Sequence, residues 1–293
     1  MKHSKSLSIL VSIGCYAVAI AVAVVVFRSV DVDTHLIWRL AIADLAATGV
    51  VFLGSRLVNN SSMYDPYWSV KPMVLAAGFV ALEGVAAVHW WEWLAFIGMQ
   101  LYGLRLTSNF YRDWPGFAHE DWRYVNFRKQ FPRAYWWVSL GGIHLFPTIQ
   151  VFLACLPLYA IFRHSASPDR PALVVLGFLG VLMAVGLAFV ADEQMRRFRR
   201  DPANRGKSMD RGLWALSRHP NYAGEVLTWW GLALMAVGMD LSYWWTAAGA
   251  LSIHVMFHVV SIPMLDERSL DRRPGFAGYM ERTRALWPVP RRR

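Results

Sequence analysis

The chain has 293 residues, 56% of them hydrophobic, with 15 Trp and a formal net charge of +10. That much apolar surface is more than one soluble core of this length conceals, which excludes an ordinary soluble globular protein and leaves a polytopic membrane protein. Both cysteines, Cys15 and Cys155, fall inside apolar runs, so neither a disulfide framework nor a Cys-ligated metal site follows from them.

A bilayer core of about 30 Å is crossed by about 20 apolar residues in a helix. Eight runs qualify in chain order: 7–27, 36–57, 69–89, 93–111, 134–162, 172–191, 222–239 and 243–263. The fold class expected is therefore all-α, an integral membrane protein of about seven or eight transmembrane helices. The first run follows Lys2 and Lys5 as a signal sequence would. It exceeds the roughly 7 to 15 apolar residues of such a segment and shows no clear small-x-small cleavage site, so it is read as a retained span.

The basic residues are unevenly placed. The stretches 105–133, 191–218 and 266–293 together hold 22 of the 30 Lys and Arg. Two spans separate each strip from the next, so the positive-inside rule puts all three, and both termini, on the cytoplasmic side. The charge is thus a topology signal, and no nucleic-acid partner is expected. Without an internal repeat, low-complexity tract or Pro/Ser-rich linker, residues 1–293 are read as one membrane domain. The Rossmann glycine fingerprint and the P-loop are both absent.

Chemistry is expected where ionisable residues cluster, because a charge at the bilayer centre opposes insertion by about 2.5 to 3.5 kcal/mol. The run Ser217-Arg218-His219-Pro220-Asn221-Tyr222-Ala223-Gly224-Glu225 leads straight into the apolar stretch 226–237. Pro220 suits the first turn of a helix, so Arg218 and His219 sit beside a helix N-terminus that attracts anions, while Asn221 and Glu225 share one face. Upstream, Asp192, Arg196 and Arg199 are spaced i, i+4, i+7 on one face where the sixth run leaves the membrane. The short Gly/Pro-punctuated loop 201–216, carrying Lys207 and Arg211, folds one segment back on the other. The result is a cationic basin with one carboxylate from each wall, Asp192 and Glu225; a plain basic flank to a membrane helix is the structural alternative.

These segments carry a family resemblance. Ala191-Asp192 with Arg196 and Phe198, Gly212-Leu213-Trp214, Ser217 to Glu225, Trp229-Trp230-Gly231, and Pro263-x-Leu265-x-Glu267 with Tyr279 and Pro288 resemble the C-terminal half of the membrane-embedded steroid 5α-reductase superfamily. More closely they resemble its bacterial branch of uncharacterised reductase-like proteins. The likeness extends upstream to Asn60-Ser61-Ser62-x-Tyr64-Asp65-Pro66-Tyr67-Trp68-Ser69, to Gly103-Leu104-Arg105-Leu106, and to Glu120-Asp121-Trp122-Arg123-Tyr124 with Arg128, so that it covers about 60–290.

The resemblance implies a steroid 5α-reductase-like fold with a cofactor-binding region at 186–290. It implies NADPH as cofactor and reduction of a C=C bond conjugated to a carbonyl, on a lipophilic substrate entering from the bilayer. It also implies a location in a bacterial inner membrane. Asp192, Arg196 and Arg199 match the family's cofactor-binding acid and arginines, and Asn221, Tyr222 and Glu225 match its Asn-Tyr-x-Gly-Glu stretch. Lys207, Arg218 and His219 complete the basin, and a carboxamide ring can be held by Glu225 with Asn221. Where the steroid-reducing members supply a His and a Tyr after the last helix, this chain reads Asp266-Glu267-Arg268-Ser269-Leu270-Asp271-Arg272, and Arg268 with Arg272 are the phosphate-binding substitutes.

Negative charge that develops on a carbonyl oxygen needs a donor, which the steroid reductases provide with a Glu-Tyr pair. Tyr64-Asp65 is the candidate here, with Asp65 alternatively a helix N-cap before Pro66, and Glu83 in the third run is the other acid. Arg105 is expected to pair with Glu120 or Asp121, or to reach the cofactor. The aromatic and charged loop 120–124, Tyr124 included, either caps the cofactor cleft or forms an interfacial belt. His254 and His258 have metal-ligand spacing but lack the further His clusters of a di-iron hydroxylase, so no metal is expected and helix packing is their reading. The competing function is an S-adenosylmethionine-dependent membrane methyltransferase of the isoprenylcysteine carboxyl or phospholipid type, which also uses an Arg-His-Pro-x-Tyr turn. It has no use for the phosphate-suited face from Asp192 to Arg199.

Overall fold

The computed structural model describes residues 4–164 and 166–288; Lys2 and Arg291 to Arg293, part of the expected charge asymmetry, lie outside the described residues. The chain divides into two compact units, Met1–Phe162 and Arg163–Arg293. Among the described residues no strand forms, and the only β feature is a bridge between Ser217 and Arg284. The protein is an all-α polytopic membrane protein, and five helices among the described residues are long and apolar enough to cross a bilayer.

The first unit contains α1 (Lys5–Ser29), α2 (Leu36–Leu57), α3 (Tyr67–Glu83), α4 (Trp90–Asp113), α5 (Trp122–Gln130) and most of α6 (Tyr135–Arg163). Ser8, Ser12, Tyr16 and Ala19 repeat at helical spacing and form the buried stripe of α1. Tyr16 and Ala19 join Ala47, Val51, Met63, Tyr64 and Tyr67 in one apolar cluster. The third apolar run ends earlier than expected: Gly84, at φ +81°, closes α3 directly after Glu83.

The second unit contains α7 (Pro171–Arg200), α8 (Pro220–Met239), α9 (Leu241–Arg272) and α10 (Phe276–Arg282). Small residues let α7 and α8 approach to backbone contact. A Cβ built on Gly177 would lie 2.6 Å from the Gly231 carbonyl oxygen, and one on Gly231 would lie 2.8 Å from the Gly177 carbonyl oxygen. In lipid, where apolar area gives helices no reason to associate, such close packing is what holds a pair together.

Among the described residues two helices carry a wide π turn, Ser139–Leu145 in α6 and Phe257–Ser261 in α9. Each lies just before a proline, Pro147 and Pro263. A proline ring clashes with the carbonyl four residues back, and widening the preceding turn relieves that clash without breaking the helix.

The glycine seam makes a prediction. Gly231→Val should lower the thermal unfolding midpoint in detergent by several degrees, from overpacking of about 1 to 3 kcal/mol. Gly186→Ala, on an α7 face with nothing within 4 Å of the added Cβ, should leave it unchanged.

Candidate functional site

In the second unit, the loop after α7 is pinned back on the helix it leaves. The Trp214 indole donates to the Ala191 carbonyl at 3.0 Å, the Leu213 amide to Gln194 Oε1 at 3.0 Å, and the Tyr279 hydroxyl to the Trp214 carbonyl at 2.5 Å. The expected walls then meet: Asn221 Nδ2 donates to Asp192 Oδ1 at 3.1 Å. Glu225 lies one turn beyond Asn221 and is buried. Tyr222 stacks on His219 with centroids 5.5 Å apart and packs on Phe257 at 4.5 Å.

Arg218 and His219 have a different part from the one expected of them. Both turn to Asp266, Arg218 Nη2 at 2.7 Å from Oδ2 and His219 Nε2 at 2.9 Å from Oδ1, and all three side chains are buried. Arg218 Nη1 also donates to the Thr283 carbonyl at 2.6 Å, and the amides of Arg218 and His219 donate to the carbonyls of Arg284 and Ala285. These two residues therefore tie the segment after α10 to the start of α8. Asp266 was missed as a partner because 47 residues separate it from His219, beyond the reach of any local period. Arg196, also buried, donates to Glu193 at 2.7 Å.

The expected phosphate side opens as a pocket of about 250 Å³, two helical turns down α7 from Asp192. It is lined by Arg199, Arg205, Lys207 and Arg273 together with Met195, Phe198 and Met209. Arg199 and Lys207 were expected there; Arg268 and Arg272 are absent from the lining and Arg273 stands in their place. Burial and the neighbouring Arg199 and Arg272 all push the Arg273 guanidinium below its ordinary range.

In the first unit the two upstream motifs are knitted together. Asn60 Nδ2 donates to the carbonyls of Phe117 and His119, the Ser61 amide donates to Glu120 Oε1 at 2.8 Å, and the Asp121 amide donates to Ser62 Oγ at 2.8 Å. This brings Tyr124 onto Asp65, its hydroxyl 2.5 Å from Oδ1. The partner of Asp65 is thus Tyr124. Tyr64 is sealed in the core at 1% exposure with its hydroxyl on Thr148 Oγ1 at 2.7 Å. Asp65 is not an N-cap either: α3 follows Pro66 with no side-chain cap. Burial, and to a smaller extent Asp121, raises the Asp65 carboxyl to about 7 against the opposing pull of Arg123.

Other candidates are placed elsewhere. Glu83 is half-exposed at the far end of α3, 16 residues on from Tyr67 and so about 24 Å along the axis, and does not join the acid pair. Glu120 takes Arg128 at 2.6 Å and Asp121 takes Arg123 at 2.7 Å, so the partners expected for Arg105 are engaged by their own loop. Tyr124, expected toward the cofactor, is the buried donor to Asp65. His254 and His258 pack ring to ring at 4.9 Å beside Trp230 and Trp287.

Two outcomes follow from this geometry. Asp266→Asn should destabilise the protein by about 3 to 5 kcal/mol, because it leaves the buried Arg218 without its counter-charge; chemical or thermal denaturation checks this. A carboxyl raised to about 7 in the fold and near 3.8 outside it stabilises the folded state fully below about pH 4, and that stability is lost as pH rises toward 7. Asp65→Asn should flatten the fall in melting temperature between pH 5 and 8.

The model of the family described as protein of unknown function (DUF1295) matches residues 51–283. An uncharacterised protein of Schizosaccharomyces pombe is 26% identical over 260 residues, covering 78% of this chain and 73% of the yeast protein. No solved structure matches the chain.

Proposed function

The chain belongs to the DUF1295 family of steroid 5α-reductase-like proteins, and from that premise we propose that it is an NADPH-dependent membrane reductase acting on an activated C=C bond of a lipophilic, steroid-like substrate. The observation that carries the reading is the Asp192 to Asn221 hydrogen bond, which brings the two expected cofactor walls together. The residues fit a phosphorylated dinucleotide. Four cations line a pocket two turns, or about 10 Å, from Asp192, and a buried carboxylate, Glu225, lies one turn from Asn221. Asp192, Asn221 and Glu225 would hold the polar nicotinamide end, and Arg199 and Lys207 the phosphates.

When bound, NADPH supplies the hydride that the reduction consumes. The chain's own part is the proton. Asp65 holds a proton on its carboxyl near neutral pH, and Tyr124 fixes that carboxyl through its hydroxyl. An acid poised near the working pH both retains a proton and releases it readily, and the same O–H groups can stabilise negative charge as it develops on a substrate carbonyl oxygen. The lipophilic substrate suits a chain whose helices are embedded in bilayer, and a bacterial inner membrane with the basic strips cytoplasmic is the corresponding location.

The full-length protein in detergent decides the matter. NADPH should raise its melting temperature and S-adenosylmethionine should not; the reverse pattern establishes the methyltransferase instead. Glu225→Gln and Arg199→Ala should each weaken NADPH binding about 10-fold or more, as expected for loss of a charged hydrogen bond. Asp65→Asn should leave that affinity within about twofold while slowing turnover by about 100-fold.

A further inference from the structure

We propose that the pocket between α9 and the segment after α10 holds the headgroup of an anionic phospholipid, with the acyl chains lying along the outer face of α9. The inference does not depend on the reductase reading, and the pocket shares no lining residue with the cofactor site proposed above.

The first argument is a polar ring on an apolar face. Leu251, Val255 and Val259 recur every four residues and are exposed, as the outer face of a bilayer-crossing helix is. His258 is exposed beside them. A histidine in a membrane helix needs a polar cavity or a partner, and the cavity His258 meets has a volume of about 280 Å³. Arg284, Ala285, Leu286 and Trp287 complete its lining. His258 lies eight residues, or about 12 Å along the axis, before Asp266, the first Asp, Glu, Lys or Arg of α9. That is close to the boundary of the hydrocarbon, where lipid phosphates begin.

The second argument is charge. None of the five lining residues is acidic, and among the described residues the Arg284 side chain has neither a hydrogen bond nor an ion pair. A guanidinium takes a phosphate through paired N–H groups, and an indole such as Trp287 settles at the edge of a bilayer. His258 turns Nδ1 to the His254 carbonyl at 3.4 Å, which leaves Nε2 for the headgroup.

The third argument is that the site is preformed and small. The carbonyls of Arg284, Ala285 and Leu286 accept from the Arg218 amide at 2.8 Å, the His219 amide at 3.1 Å and the Ser217 hydroxyl at 2.7 Å. Trp287 packs edge-on against His254 with centroids 5.4 Å apart. Little ordering therefore opposes binding. A volume of about 280 Å³ falls just below the roughly 300 to 1,000 Å³ that encloses a whole small molecule, so it suits a headgroup whose chains stay outside.

The test uses the full-length protein in micelles doped with phosphatidylglycerol or phosphatidylcholine of the same chains, with retained lipid counted by native mass spectrometry. A phosphatidylglycerol carrying a photoreactive group next to its headgroup maps the contact. Phosphatidylglycerol should be retained about fivefold better, the worth of one basic residue at an anionic membrane surface, and its crosslinks should fall within 251–260 or 284–287. Arg284→Gln should abolish the preference, and His258→Phe, which keeps the ring packing, should at least halve it. Arg282→Gln removes an exposed charge outside the pocket and should leave the preference within about twofold. Equal retention of the two lipids, crosslinks confined to other segments, or an equal loss in Arg282→Gln and Arg284→Gln overturns the site. Displacement of the lipid by glycerol 3-phosphate gives the pocket to a soluble phosphate ester, displacement by NADPH gives it to the cofactor, and either overturns the lipid assignment.

Discussion

One buried carboxylate organises the second unit. Asp266 accepts from Arg218 and His219 at once, and those two residues hold by their backbones and side chains the end of α10 and the residues after it, through the carbonyls of Met280, Thr283, Arg284 and Ala285. Ser217, whose hydroxyl donates to the Leu286 carbonyl at 2.7 Å, and Tyr279, whose hydroxyl donates to the Trp214 carbonyl, add to this contact. A guanidinium in this position would be an uncompensated buried charge without Asp266, so the three side chains stand or fall together. Because the arginine and histidine are held there, the first residue of α8 able to face Asp192 is Asn221, and the direction in which α8 leaves the loop is what places it.

The close approach of α7 and α8 fixes the other end of the same arrangement. With glycines at Gly177 and Gly231 the backbones touch, and Gly224 brings α8 against Ala184 and Ala188, about two turns and one turn before Asp192. Bulk at these positions would separate the walls of the proposed cofactor site by more than a hydrogen bond can span. Packing deep in the bilayer and polar geometry at its surface are thus one constraint: the seam of small residues sets the separation, and the Asp192 to Asn221 contact reports it.

The helices were legible because lipid leaves a chain few options: each of the eight apolar runs lies in a helix, with the third ended early by Gly84, and five helices among the described residues are long and apolar enough to cross a bilayer. The basin was legible in outline, since Asp192, Arg199 and Asn221 lie on short segments joined by a short loop. What could not be read was which charge answers which. Arg218 and His219 carry the right chemistry for an anion, but the anion they meet is Asp266, placed by tertiary packing. Tyr124 and Asp65 are 59 residues apart, and their pairing is made by loop contacts of Asn60, Ser61 and Ser62 that leave no periodic trace. Arg273 replaces Arg268 and Arg272 at the pocket because the lining depends on where α9 stops, a boundary finer than sequence pattern resolves.

The first unit also holds two acids that are partnered in different ways. Asp44 has a full counter-charge, Lys71, at 2.9 Å, and the same ammonium donates to the Thr148 carbonyl at 2.5 Å, so the pair joins α2, α3 and α6 in a single register. Removing either partner would strand a charge in the membrane core, which makes the pair a lock between helices. Asp65 has instead a neutral phenol as its hydrogen-bond partner, while the neighbouring guanidinium of Arg123 is 2.7 Å from Asp121. Partial compensation of this kind leaves a carboxyl able to exist in both forms near neutral pH. The difference between the two acids is one of counter-charge: Asp44 meets an ammonium and Asp65 a phenol.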